Sequence, residues 1–173
     1  MAKLQIGWSE ADITPAMDKK IALYGQYYAR TATEIHSRLK TVAVVFASGD
    51  EQFIAASLDL VNFQQEFHRK VRAAAAALEP EINPEKIFLN AIHTHSGPSA
   101  TPVGLSNVWR ERDTEALSPE EYVEFVVPVI AQNIVKAWHN RKNGGIVRAF
   151  GNARVGHCRR AVYSNGKAEM YGD

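Results

Sequence analysis

The chain has 173 residues, 46% of them hydrophobic and 23% charged, which is enough for one domain with a sizeable core. Its 20 basic and 19 acidic residues leave a net charge of +1, so nucleic-acid binding has no compositional support. Cys158 is the only cysteine, which excludes an internal disulfide framework and an all-cysteine metal site.

No apolar run approaches the ~20 residues of a membrane span, so no transmembrane segment is expected. The opening Met1-Ala2-Lys3-Leu4-Gln5-Ile6-Gly7 lacks the apolar stretch of a signal peptide. A cytoplasmic location is the default expectation, with a secreted or periplasmic one compatible. No repeat, low-complexity tract or linker divides residues 1–173, which read as a single α/β domain.

Thr14 to Ser37, carrying Pro15 and Gly25, follows neither the helical nor the strand period and reads as irregular. Leu39–Ser48 and Phe53–Leu60 are nearly continuous apolar runs joined by Gly49-Asp50, a strand pair with a tight turn. Their unbroken apolar character predicts strands covered on both faces. Phe63, Phe67, Val71 and Leu78 then fall at helical spacing around an alanine run that Pro80 terminates. Lys86–Ile92 is a short buried strand. Strand, helix and strand over about thirty residues make a βαβ-like unit, whose crossover is expected to be right-handed.

Leu105–Leu117 reads as polar and irregular. Ser118, Pro119 and Glu121 have the signature of a helix start: an N-cap, a proline at the first position and a capping-box acid. That helix is expected to turn Tyr122, Phe125, Val126, Ile130, Ile134 and Trp138 inward, to bend at Pro128 and to end by Asn143-Gly144-Gly145. Ile146–Phe150 reads as a last strand. The fold class is therefore α/β, a mixed or mostly parallel sheet with helices packed on it.

His93-Thr94-His95-Ser96-Gly97-Pro98 follows the Lys86–Ile92 strand, at what should be its carboxyl end, where open α/β sheets place ligands. Two residues apart on extended chain, His93 and His95 would face one side, a half-site for zinc or a pair of loop hydrogen-bonders. His36 alone reads as a loop histidine, His68 as part of a solvated helix face, and His139 as favoured by a helix C-terminus. His157 lies among Arg154, Arg159 and Arg160, an anion-facing patch or a solvated loop. Asp12 and Asp59, at strand ends, suit either turn caps or hydrogen-bond partners of a histidine. No phosphate-cradling glycine loop and no Gly-x-Ser-x-Gly elbow occurs.

Taken in order, these segments resemble the N-terminal part of the neutral/alkaline non-lysosomal ceramidase family. Ile6-Gly7 through Ala11-Asp12-Ile13-Thr14-Pro15 is similar to the family's opening segment. Ile35-His36-Ser37-Arg38-Leu39 resembles its Ile-His-Thr-Arg motif, and Ser57-Leu58-Asp59 the end of its second strand. His93 to Pro98 resembles its Thr-His-Thr-His-Ser-Gly-Pro signature, the most specific of the matches.

The resemblance implies a zinc-dependent amidohydrolase, an enzyme when full length, that cleaves an N-acyl amide by metal-activated water. His36 and His95 are then two of four zinc ligands, with a glutamate and a tyrosine expected beyond Asp173. His93 is a catalytic candidate beside them, orienting a ligand or touching substrate. The family's Asn-Arg-Ser serine falls at Arg160 in Cys158-Arg159-Arg160, a departure that points away from ceramide itself and toward a ceramide-like or other small-molecule or lipid amide or ester. A basic group among Arg154, Arg159 and Arg160 would stabilise the oxyanion, with Arg160 carried as the candidate. The alternative is a non-catalytic binding module of the same fold, lacking the serine. The chain is expected to be the N-terminal portion of a larger catalytic domain, with a homo-oligomer left open.

Overall fold

The computed structural model describes residues 3–25, 30–101, 115–156 and 158–170. Five strands form one mixed sheet: β1 (Gln5–Asp12), β2 (Lys40–Ser48), β3 (Glu51–Leu58), β4 (Ile87–Ala91) and β5 (Lys142–Asn143), in the order β4-β3-β2-β1-β5. The pairs β1–β2, β2–β3 and β1–β5 are antiparallel, and β3–β4 is parallel. The β2–β3 hairpin turns at Gly49-Asp50, and register follows from pairing Ser48 with Glu51. Helix α1 (Gln65–Leu78) joins β3 to its parallel neighbour β4, giving the expected βαβ-like unit.

Helix α2 (Pro119–His139) begins in the capping box that its sequence announces. Ser118 accepts from the Glu121 amide, and the Glu121 carboxylate accepts from the Ser118 amide. The helix runs on through Pro128, on its exposed side, where the Glu124 carbonyl that loses its usual donor faces water. It ends at His139, earlier than the Asn143-Gly144-Gly145 signal, because Lys142–Asn143 is drawn into pairing with β1. At the crossing of α2 over β1 there is no room for a side chain. A Cβ on Gly7 would stand 2.1 Å from the Ala137 carbonyl oxygen.

Phe67, Val71 and Ala75 of α1, Tyr122, Val126, Ile130, Ile134 and Trp138 of α2, and the inward residues of β2–β4 form one core. Two expected inward residues are not in it. Phe125 is 43% and Leu78 53% exposed, each lying at the edge of its helix's buried stripe.

Among the described residues, elements cover the sheet on one face and not on the other. Trp8, Val42, Phe53 and Phe88 point outward, and their exposures run from 44% (Val42) to 69% (Trp8). Both parities of these strands are apolar, but the two helices supply cover for one side, and no described element lies over the other.

Ile146–Phe150 is not a strand. The chain leaves the sheet after the Gly144 amide donates to the Leu4 carbonyl, and Val147 and Phe150 lie almost fully exposed without a pairing partner. A β-branched run becomes a strand only when another edge accepts its hydrogen bonds. A separate hairpin, β6 (Arg160–Val162) with β7 (Ala168–Met170), turns through Ser164-Asn165-Gly166. Residues 105–114 of the expected irregular stretch, and His157, lie outside the described residues.

Candidate functional site

The histidine signature begins two residues after β4 ends at Ala91, next to the carboxyl end of its parallel neighbour β3. The Ile92 amide donates to Leu58 and the His93 amide to Leu60, so strand-like bonding carries past the end of β4. His93 then turns the chain with φ +67°, a left-handed conformation that costs a non-glycine residue roughly 1–2 kcal/mol. Its side chain offsets part of that strain. Nδ1 lies 2.8 Å from the Val61 carbonyl oxygen, an acceptor only, so Nδ1 carries the proton and donates. In the neutral ring that tautomer places the lone pair on Nε2.

The turn brings His93 and His95 together, with ring centroids 4.9 Å apart and planes at 75°. The pairing differs from simple alternation along an extended strand, because the positive φ at His93 re-aims the chain between them. Thr94 closes the following turn by accepting from the Ser96 amide. Beside this segment a cavity of about 530 Å³ is lined by His36, Asp59, Thr94 and Ser96, with Leu39 and Ile92 among its apolar walls. His36 is exposed at this cavity, just before β2.

The acids at the strand ends serve the backbone. Asp59 accepts from the Lys40 amide at 2.9 Å, tying the end of β3 to the start of β2. Asp12 accepts from the Thr14 amide at 2.8 Å and pairs with Arg38 at 3.4 Å. Slight burial works against ionisation of Asp12, but the Thr14 hydrogen bonds and the charges of Arg38 and Lys40 outweigh it and hold its carboxyl below the usual range.

Elsewhere, His68 is not simply solvated. Its Nε2 lies 3.3 Å from the Ile87 carbonyl oxygen, which Arg72 also contacts. Burial first, then the Arg72 charge, lowers its pKa. His139 pairs with Glu79 at 2.9 Å, linking the last turn of α2 to the end of α1.

Two residues at the site carry no sequence signal of their own. Gly25, with φ +101°, packs against the His95 ring so closely that a Cβ would lie 2.8 Å from Cγ and Nδ1. Arg30 donates through Nη2 to the His95 carbonyl. Both lie in the stretch read only as irregular, since periodicity says nothing about a loop that closes on a distant strand end.

A family model described as neutral/alkaline non-lysosomal ceramidase, N-terminal, matches residues 4–168. The chain belongs to the neutral/alkaline non-lysosomal ceramidase family. Among solved structures it is similar to neutral ceramidase from Pseudomonas aeruginosa, at 24% identity and a TM-score of 0.68, covering 83% of this chain and 23% of that one. It is also similar to a ceramidase complexed with C2, at 26% identity and a TM-score of 0.67, covering 83% of this chain and 22% of that one. The chain therefore spans less than a quarter of the length of either. No curated protein shows a significant match.

The ceramidase-family sheet thus holds His93 and His95 in contact and His36 at the adjoining cavity. Arg160 lies apart in sequence and setting, exposed on the β6–β7 hairpin and not among the residues lining the cavity. Among the described residues, no three His, Cys, Asp or Glu side chains stand close enough to hold a metal ion. The donors present suit part of a zinc site: imidazoles, one of them oriented by a hydrogen bond to a backbone carbonyl, as histidines in metal centres commonly are. No helix among the described residues is long and apolar enough to cross a membrane.

Proposed function

We propose that this chain is the N-terminal portion of a zinc-dependent hydrolase acting on an N-acyl amide bond, in a ceramide-like or other small-molecule or lipid substrate. The observation that carries the reading is the contact between His93 and His95 at the carboxyl ends of parallel strands, in a chain of the ceramidase family. In this reading His36 and His95 hold the metal, together with ligands from outside these residues. Zinc supplies Lewis acidity toward the amide carbonyl and activation of water. His93, fixed through Nδ1, presents Nε2 to substrate or to a proton in transit. The cavity lined by His36, Thr94 and Ser96 takes the reacting amide and limits the water around it.

Zinc uptake, measured by competition with a chromophoric chelator, and hydrolysis of N-acyl amides are the joint test. Both are expected to drop when His36 or His95 is replaced by Ala. Uptake and turnover unchanged in the double variant would sink the mechanism. A second reading, a non-catalytic binding module, is favoured by one observation: arginine stands at position 160 where the family motif has serine. Zinc binding dependent on His36 and His95, with no turnover of amides, lactones or esters, would select it.

A further inference from the structure

Three attachments join the segment 21–32 to the histidine signature. Arg30 Nη2 donates to the His95 carbonyl, the Tyr24 amide donates to the Gly97 carbonyl at 3.0 Å, and Gly25 lies against the His95 ring. The segment's described flanks, 21–25 and 30–32, pair with each other. The Leu23 amide donates to Arg30 and the Ala32 amide to Ile21, each at 2.9 Å. On the opposite side, Gly97 rests against Leu39 and the Asp59 carbonyl, where a Cβ would meet them at 3.3 and 3.4 Å. The His95 ring thus lies against the Gly25 backbone while the Arg30 side chain holds its carbonyl.

We infer that Gly25 and Arg30 are positioning residues that set the orientation of the His95 imidazole. Gly25 acts by having no side chain. A Cβ there would stand 2.8 Å from both Cγ and Nδ1 and 3.0 Å from Cδ2 of the ring. A ring is rigid, so contact with three of its atoms is relieved only by rotating the whole imidazole or by moving the loop. With φ at +101°, any L side chain at position 25 is also strained. Arg30 acts on the other half of the residue by holding its carbonyl, which limits the backbone rotation that would let the ring escape. The edge of His93 closes a further side at 4.9 Å between ring centres. What the aimed ring is for, metal ligation, rests on the function proposed above, whereas the aiming itself does not.

The experiment is imidazole 15N NMR on the 173-residue chain at a pH where histidines are neutral, paired with zinc affinity of the full-length protein from chelator competition. Gly25→Ala is expected to shift the His95 ring signals while leaving those of His68 and His139 in place. Zinc affinity is expected to fall about tenfold, the lower end of what loss of a ligand-orienting contact costs. If Gly25→Ala does not fold, Arg30→Met and Arg30→Lys carry the test: Met moves the His95 signals and Lys restores them. His95 signals unmoved in every folded variant overturn the inference. His95 signals that move in the variants, when even the wild-type protein takes up no zinc, uphold the positioning role and remove only the metal reading. Zinc uptake with unmoved signals does the reverse.

Discussion

The phenol of Tyr122, in the first turn of α2, donates a hydrogen bond to the carbonyl of Ile13 at 2.8 Å across 109 residues of sequence. Both residues are fully buried. Burial, reinforced by the charges of Asp12 and Asp59, raises the phenol's pKa, so it stays a donor throughout the working pH range. This bond fixes the start of α2 against the loop leaving β1, and that loop leads toward His36. Tyr122→Phe leaves the Ile13 carbonyl buried without its partner and is expected to cost about 1–3 kcal/mol. Urea unfolding with an unchanged m-value checks it, and a midpoint equal to wild type would show that the bond contributes nothing.

His93 provides a test of stored strain. Its left-handed backbone favours glycine, whereas its side chain adds the Val61 bond. His93→Ala keeps the strain and loses the bond, so it is expected to be the less stable variant. His93→Gly relieves the backbone and is expected to exceed it by about 1 kcal/mol. Thermal unfolding of the pair decides the matter, and an alanine variant as stable as the glycine one contradicts the strain.

The one-sided sheet makes a contrast within β3. Leu58 is fully buried and Phe53 half exposed, although both are large and apolar. Leu58→Ala is expected to cost roughly 2–5 kcal/mol, the range for emptied core positions. Phe53→Ala loses only part of its contacts, chiefly the stacking on Phe46 at 6.2 Å, and is expected to cost about 1 kcal/mol. Equal losses in chemical denaturation would mean that the outer face is packed after all.

His68 sets a pH dependence. Its pKa is lowered in the folded chain by burial and by Arg72, so the unfolded chain binds the proton more readily. The folded state is favoured by this group above the ordinary histidine value of 6.5, and that contribution is lost as the pH falls below it toward the folded pKa. Replacing His68 by Gln, which can still donate toward the Ile87 carbonyl, is expected to flatten the stability profile between about pH 7 and 5. A profile as steep as wild type in His68→Gln would assign the slope to another group.

Much of the scaffold was legible in the residues themselves. The β2–β3 hairpin follows from two apolar runs around Gly49-Asp50, and the α2 start from Ser118, Pro119 and Glu121. These signals are local: a turn pair, a capping box and a hydrophobic period each act over a few residues. The histidine signature was likewise legible, both as a motif and as a position at a strand end.

Other features depended on what lies across space. Ile146–Phe150 has a strand's composition and pairs with no strand among the described residues, while Lys142–Asn143 pairs with β1 despite a polar composition. The outward face of the sheet reads as core in sequence, yet the two helices cover only the other side. Gly25 and Arg30 became visible only where their loop meets His95, 70 and 65 positions further along. By itself the sequence determined the local conformations and the chemical types available at the site: three imidazoles, strand ends and caps. The tertiary structure decided which imidazoles touch, how His93 turns the chain and what holds His95. Those outcomes are set by steric exclusion and long-range hydrogen bonds, which no spacing of residues along the chain encodes.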